Sequence, residues 1–368
     1  MDKTSKHILM ICVTSQGVIN FRSGLIKKLL QEGNKVSVVA FDNDFQNDVE
    51  SLGCDFYSVN DNNRSTSPIK ILTLKNKYLK IIKKINPDIV FTFMLKPNIF
   101  GVLAAKKAKV NAIFSMVEGV GDVFINDGFK WKIIRQFVKF LYRKSFKYVR
   151  KIFFLNEDDA KEFILYKLVN SKQCVKINGI GVDLSWFEYQ KIENKANFLM
   201  VARLMKNKGI YEYCECARKV KQIYPNVVFE YLGAEGNVSI SDIQSYIDDG
   251  SIRYLGVSKD VRPYLKLASV IVLPSYREGV PMSIMEAMSV GRAIITTNVP
   301  GCKETVIDNY NGFIIDKKDV NQLVEKSIWF IENPNEIEKF GSNSRSLAEQ
   351  KFNEIDINNQ ITSIVFEK

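Results

Sequence analysis

Glu278 and Glu286 bracket a stretch, Arg277-Glu278-Gly279-Val280-Pro281-Met282-Ser283-Ile284-Met285-Glu286-Ala287, in which carboxylate and phosphate chemistry would share one place. Glu278 sits in a turn containing Gly and Pro, straight after the apolar, strand-like run Ser269-Val270-Ile271-Val272-Leu273-Pro274; Glu286 falls one turn into the helix expected to follow. A carboxylate accepts hydrogen bonds from sugar hydroxyls, and the free N–H groups of a helix start attract phosphate. The pair therefore marks a site for a sugar joined to a phosphate. Two glutamates at this spacing on a surface helix are ordinarily just solvated. The setting is what distinguishes these two: a strand, a turn with Pro281 near the helix start, and Pro300-Gly301-Cys302-Lys303-Glu304 after the next strand.

Two cations stand on a second loop. The run Asn197 to Ala202 reads as a strand and leads into Arg203-Leu204-Met205-Lys206-Asn207-Lys208-Gly209. Arg203 and Lys208, lifted at a strand's carboxyl end, can neutralise a diphosphate leaving group as it gains charge. The turn Thr14 to Arg22 carries Gly17, where the backbone can approach a phosphate ahead of a helix, although the full Gly-x-Gly-x-x-Gly fingerprint is missing. Asp42-Asn43-Asp44 imitates a metal-binding Asp-x-Asp in a polar loop and reads as a turn, so no metal is expected. The single His7 rules out chemistry that needs a histidine cluster, and the six cysteines, without metal-ligand spacing, read as reduced structural thiols.

The elements that must hold these residues alternate. In the first half His7 to Val13, Lys35 to Phe41, Pro87 to Phe93 and Ala112 to Val117 read as strands. Helices are expected at about Arg22 to Glu32, Leu72 to Asn86 and Asn98 to Lys109. A further strand, Lys151 to Leu155, precedes a helix capped by Asn156-Glu157-Asp158-Asp159. A second series has strands at Phe198 to Ala202, Val227 to Leu232, Ile252 to Leu255, Val270 to Leu273 and Ala293 to Thr296, with Lys172 to Lys195 as a polar join. This rhythm predicts an α/β chain of two Rossmann-like domains facing a cleft, with ligands beyond the carboxyl ends of the strands. The expected division is 1–170, 171–350, and a C-terminal helix in 351–368 packing back on the first domain.

At 368 residues, 46% hydrophobic and a net charge of +11, the chain is globular, of two-domain length, and suited to an anionic partner. No apolar run approaches the roughly 20 residues that span a bilayer, and the N-terminus lacks a secretory signal, so a cytoplasmic location is expected. Lys130 to Lys151 contains no acidic residue. Ile134, Phe137, Leu141 and Tyr148 follow helical spacing there, with Lys132, Arg135, Lys139 and Arg143 on another face. Such a helix either rests on anionic lipid at the inner membrane face or packs its stripe on a sheet with its lysines solvated.

The wording Arg-Glu-Gly-Val-Pro-Met-Ser-Ile-Met-Glu-Ala-Met-Ser-Val-Gly-Arg, with Arg203…Lys208-Gly209, resembles the signature of family-4 retaining glycosyltransferases, which have the GT-B fold. Across nearly the whole chain, "KPNIFGVLAAKKAK" and "VEGVGDVFINDGF" are similar to bacterial members that add N-acetylgalactosamine in α-1,3 linkage to undecaprenyl-diphosphate-linked sugars. The resemblance implies a UDP-sugar donor held by Gly17, Arg203, Lys208, Val257, Glu278, Gly279, Val280, Met282, Ser283 and Glu286. Glu286 would take the ribose, Val257 would lie beside the base, and Glu278 with the Gly279 to Ser283 backbone would hold the sugar and phosphates. Lys96 and Asn98 are assigned to the acceptor, Lys96 being equally readable as a solvated surface lysine. Glu118 stands where many members place a His near the reacting carbon. It is taken as its polar replacement, with an ordinary loop glutamate as the alternative. Arg203, Lys208, Glu278 and Glu118 form the expected catalytic set, with no cofactor. The expected products belong to O-antigen, capsule or other glycan assembly. Two rival readings are a sugar-nucleotide epimerase of the same fold and a basic nucleic-acid-binding protein. Against the latter, the aromatic residues of the basic helix lie at core spacing rather than set for base stacking, and no nucleic-acid partner is expected.

Overall fold

The computed structural model describes residues 5–60, 68–125, 128–192 and 195–367. Asn126 and Asp127 of the "VEGVGDVFINDGF" motif, and Glu193 and Asn194 of the expected join, lie outside them. Two compact units form, Met1–Ile180 with Ile355–Lys368, and Gly181–Glu354.

The first unit is built on β1 (His7–Ile11), β2 (Lys35–Ala40), β3 (Asp55–Ser58), β4 (Ile89–Phe93), β5 (Ala112–Val117), β6 (Lys151–Phe154) and β7 (Cys174–Lys176), all paired in parallel in the order β3-β2-β1-β4-β5-β6-β7. Strands covered on both faces read as continuous apolar runs. Accordingly, every residue of β4 is buried, and Phe91 packs its ring 4.5 Å from Phe93 and 5.5 Å from Phe153. Each such aromatic contact contributes about 1 kcal/mol beyond its area. The second unit repeats the plan with β8 (Asn197–Val201), β9 (Val228–Leu232), β10 (Arg253–Tyr254), β11 (Val270–Leu273), β12 (Ala293–Thr297) and β13 (Gly312–Ile315), in the order β10-β9-β8-β11-β12-β13.

The first unit ends ten residues later than expected, because Cys174–Lys176, within the segment read as an irregular join, pairs as an edge strand beside β6. The return crossing lies at Glu354/Ile355, so most of the last helix, Glu354–Val365, groups with the first unit. The first helix also starts early. It runs Ser15–Gln31, so Gly17 is not in a turn but in the first helical turn, where its N–H donates to Thr14 Oγ1 at 3.0 Å.

The basic helix, Phe129–Phe146, differs most from expectation. Its core-facing residues are Val138, Tyr142, Ser145 and Phe146, anchored where the Tyr142 ring meets Phe163 edge-on at 5.2 Å. Ile134, Leu141 and Tyr148 are only partly buried at the edge of that core, and Phe137 is 49% exposed. The predicted basic face is also dismantled. Lys139 is buried with its ammonium 3.0 Å from the centre of the Tyr166 ring, Arg135 Nε donates to the Val123 carbonyl at 3.0 Å, and Arg143 donates to the Tyr166 carbonyl at 2.8 Å. The helix is apolar on two faces, and spacing alone could not say which one the sheet would take.

Candidate active site

In a doubly wound sheet the crossovers run one way on one side of a strand pair and the other way on the other side, leaving a crevice at the carboxyl ends of that pair. In the second unit the reversal falls between β8 and β11. The loop after β8 carries Arg203 and Lys208; the loop after β11 carries Glu278. These are the residues singled out from their types, and the fold brings Lys208 and Glu278 together. Lys208 Nζ lies 2.5 Å from Glu278 Oε1, with the two side chains 26% and 11% exposed. The same oxygen accepts from Ser275 Oγ at 2.6 Å, and Ser275 Oγ also reaches the Asn207 carbonyl at 3.0 Å. An ammonium has three N–H donors. One is spent on Glu278, which holds the group at the crevice while others remain to meet a phosphate. Arg203 is exposed nearby on the same loop.

Two glycines let these loops close on one another. Gly209 has φ +78°, and a Cβ there would lie 2.1 Å from the Pro274 carbonyl oxygen; Gly301 has φ +85°, and its Cβ would lie 2.4 Å from the Glu278 carbonyl oxygen. Any other residue would push Lys208 or Glu278 out of place, since left-handed backbone at such close approach suits glycine alone. The Glu278 N–H is pinned to the Pro300 carbonyl at 3.0 Å.

The helix after Glu278 runs Met282–Val290. Its N-cap position is Pro281, with no side-chain cap and no acidic residue in the first turn. Its opening turn therefore keeps donors and a positive dipole end for an anion. Met282 and Ser283 are half-buried there; Val280 is buried, and Gly279 lies in the turn. One turn along, Glu286 is half-buried, and desolvation pushes its carboxyl up to about 7. The far end of this helix is held by Arg292, fully buried, whose guanidinium donates to the carbonyls of Leu265 and Gln190, both at 2.7 Å. Sequence reading passed over Arg292, although an arginine opening an otherwise apolar strand was a visible signal. Ser275 was missed as well, and only the fold places it against Glu278. Val257 stands 67% exposed after β10, at the carboxyl edge of the same sheet.

The reversal in the first unit falls between β1 and β4. Glu118, after β5, forms an ion pair with Arg22, whose guanidinium is buried and lies 4.4 Å from the centre of the Phe93 ring. Burial lowers Arg22 to about 10, leaving it charged at neutral pH. Glu118, with 17% of its side chain exposed, is therefore held in place by a buried guanidinium. Arg22 had only a marginal place in the sequence reading. Asn98 corrects an expectation. It is fully buried in a π-helical turn, Pro97–Gly101, accepting from Thr92 Oγ1 at 2.7 Å and donating to the Met116 carbonyl at 2.8 Å, so both ends of its amide tie strands together and it offers nothing to an acceptor. Lys96 is half-buried with its ammonium 5.7 Å from the Phe41 ring centre. Asp42 accepts from the Ser15 N–H at 3.0 Å, a turn anchor as read.

Comparison with known proteins matches this layout in both units. Residues 8–156 match the "Glycosyl transferase 4-like" family model, and residues 184–347 match "Glycosyl transferases group 1". The chain is 31% identical over 330 residues, 86% of its length and 87% of the relative's, to the N,N'-diacetylbacillosaminyl-diphospho-undecaprenol alpha-1,3-N-acetylgalactosaminyltransferase of Campylobacter jejuni. It is 29% identical over 71% of its length and 70% of the relative's to the UDP-Gal:alpha-D-GlcNAc-diphosphoundecaprenol alpha-1,3-galactosyltransferase of Escherichia coli. Among solved structures, Anabaena HepE in complex with UDP and glucose superposes with a TM-score of 0.80 at 16% identity, over 98% of this chain and 99% of that one. With its two Rossmann-like units, each with its strand order reversing at a crevice, the chain belongs to the family-4 glycosyltransferases of the GT-B fold class.

Proposed function

We propose that the protein is a retaining transferase that moves an N-acetylhexosamine, N-acetylgalactosamine in α-1,3 linkage, from its UDP-sugar to a polyprenyl-diphosphate-linked sugar at an anionic membrane face, within glycan assembly. The observation that carries this reading is the grouping of Lys208, held by Glu278, with an uncapped helix start at the reversal of the second sheet. A diphosphate placed there would meet the Lys208 ammonium, the Arg203 guanidinium and the first-turn amides of Met282 and Ser283. Glu286 would accept from the ribose hydroxyls, most fully in its ionised form, which has two acceptor oxygens. The name of the Campylobacter relative supports the N-acetylgalactosaminyl group and the diphospho-undecaprenol acceptor, and that of the Escherichia relative, whose donor is UDP-Gal, supports a UDP-sugar and the same kind of acceptor.

In the reaction the bond from the sugar's anomeric carbon to the UDP oxygen breaks as Lys208 and Arg203 stabilise the growing charge on the diphosphate. The acceptor hydroxyl oxygen bonds to the same carbon on the same face, and its proton passes to a phosphate oxygen of the departing UDP. The two cations supply the neutralisation, and the proposal requires no metal. Glu118, fixed by Arg22, is assigned to orient the acceptor hydroxyl or the sugar.

A donor screen with a synthetic polyprenyl-diphosphate-N-acetylglucosamine acceptor, read by mass and by the anomeric coupling of the product, tests this. Transfer from UDP-N-acetylgalactosamine with an α-configured product is expected. Absence of transfer from every UDP-sugar would sink the reading.

A further inference from the structure

The helix Phe129–Phe146 turns toward solvent a face that the sheet does not use. Phe129 is 80% exposed, Ile133 57%, Phe137 49% and Phe140 55%. Their spacing of four, four and three residues sets them in one stripe along the helix. A single exposed apolar side chain on a soluble protein is unremarkable, whereas four large ones in register form a patch that is costly to leave in water. Lys130, Lys132, Lys144 and Lys147 are all exposed on the same helix or at its end, and the segment Lys130 to Lys151 holds no Asp or Glu. Lys139 and Arg143 grip Tyr166, which brings the end of the neighbouring helix, Glu157–Leu165, alongside; its last residue, Leu165, is 75% exposed.

We propose that this face seats the first unit on an anionic lipid surface by insertion. Phe129, Ile133, Phe137 and Phe140 enter the boundary between headgroups and acyl chains, and the exposed lysines meet the lipid phosphates. The proposal deepens the membrane contact in the functional reading above and rests on it for its biological setting. It replaces adsorption through a basic face with burial of an apolar one. An interfacial helix fits the rest of the chain, because no helix among the described residues is long and apolar enough to cross a membrane. Charge decides against a second copy of the chain as the occupant. Two such helices packed stripe to stripe would bring lysines against lysines, with no carboxylate on either helix to offset them. A bilayer bearing anionic headgroups supplies the apolar interior and the counter-charge together.

The test uses the full chain and vesicles of phosphatidylcholine, alone or mixed with phosphatidylglycerol. Binding is read by co-sedimentation, and insertion by photolabelling from a probe carried in the acyl chains, mapped by mass spectrometry. The wild-type protein is expected to bind the anionic vesicles, to take up label at Phe129, Ile133, Phe137 and Phe140, and to retain a fraction of binding at high salt, since burial of apolar surface is not screened. Phe137→Ser/Phe140→Ser should lower partitioning by roughly tenfold or more, whereas Phe137→Leu/Phe140→Leu should bind as the wild type. Lys144→Glu/Lys147→Glu should lose the preference for anionic lipid. All three variants should turn over a short-chain, water-soluble acceptor at the wild-type rate, so loss of vesicle binding with turnover intact separates this proposal from the transferase reading. Wild-type binding by the serine variant, or no acyl-chain labelling between Phe129 and Phe140 in bound protein, overturns insertion. A concentration-dependent dimer that the serine variant abolishes, with no vesicle binding by the wild type, assigns the face to a second copy instead.

Discussion

The two units share one winding scheme and use the reversal of strand order in opposite ways. In the second unit the crevice edge keeps its polar groups available. The helix Met282–Val290 starts without a side-chain cap, Lys208 spends one donor on Glu278, and Glu286 is held in a desolvated spot. In the first unit the corresponding groups are satisfied from within. Thr14 caps the helix Ser15–Gln31 by accepting from Gly17, Asp42 takes the Ser15 N–H, and Arg22 is buried against Glu118. One topology thus supplies both a crevice edge whose helix start has no side-chain cap and one whose helix start is capped and whose Glu118 carboxylate is paired. The difference lies in a few side chains at strand ends, because the backbone leaves similar orphan groups at every helix start.

The largest effect expected from breaking this comparison is on the closed side. Arg22→Met leaves the Glu118 carboxylate without its partner, and removing one member of a buried pair costs about 3–5 kcal/mol. Urea unfolding should show a drop of that order, and Arg22→Met/Glu118→Leu should recover most of it. Equal loss in both variants would mean that Arg22 acts through its packing on Phe93 alone. On the open side, Lys208→Ala should lower the rate of transfer by about 100- to 1,000-fold, the usual effect of removing one donor aimed at developing charge. Its stability should fall as well, though by less than in Arg22→Met, because the Glu278 carboxylate, 11% exposed, loses its cation but keeps the Ser275 hydroxyl; the rate is therefore compared per folded enzyme.

Glu286 gives a smaller, pH-dependent signal. Its carboxyl is raised to about 7 in the folded protein without ligand, and in the proposed pose the ionised form offers the ribose hydroxyls more acceptor sites than the protonated one. UDP affinity should therefore be highest above pH 7 and fall as pH drops below it, by at most about tenfold per unit. The sign for folding is the reverse. A carboxyl whose folded value is raised above its unfolded one makes the native state bind the extra proton, so its contribution to stability declines as pH rises from the ordinary carboxylate value toward 7. Calorimetric titration of UDP across this range checks the first, since Glu286→Gln should bind more weakly and with a flat pH profile, and urea unfolding of both proteins across the same range checks the second. The smallest effect belongs to the cap. Thr14→Ala should cost about 1 kcal/mol in thermal or urea unfolding and leave the dissociation constant for UDP unchanged. A change in UDP affinity would mean that the first unit's helix start also meets the donor, as Gly17 was expected to do.

Much of the fold was legible because parallel strands buried on both faces leave unbroken apolar runs, as at Ile89–Phe93 and Val270–Leu273. Some short edge strands escaped for the same reason. Cys174–Lys176 is half-exposed and three residues long, too little pattern to distinguish it from a loop. Arg203, Lys208 and Glu278 could be grouped from the sequence because each follows an apolar strand, and the structure pairs Lys208 with Glu278. Asn98 was misread by the same rule. It too follows a strand, but the π-helical turn folds it inward, where Thr92 and the Met116 carbonyl satisfy it. The basic helix shows the limit of periodicity most clearly. Its spacing announced an amphipathic helix, yet Val138, Tyr142 and Phe146 took the core side, and Phe129, Ile133, Phe137 and Phe140 were left outside.

By itself the sequence determined the alternation of strand and helix, the two-unit plan, and the strand ends at which charged groups would gather, because hydrophobic period and chain order are local properties. Only the tertiary structure decided which charged groups are partnered. It joined Lys208 to Glu278 across loops seventy residues apart and Arg22 to Glu118 across two strands, and it buried Lys139 while leaving four apolar neighbours in water. Ion pairing and burial depend on what lies opposite a side chain, and that is set by the packing of distant segments.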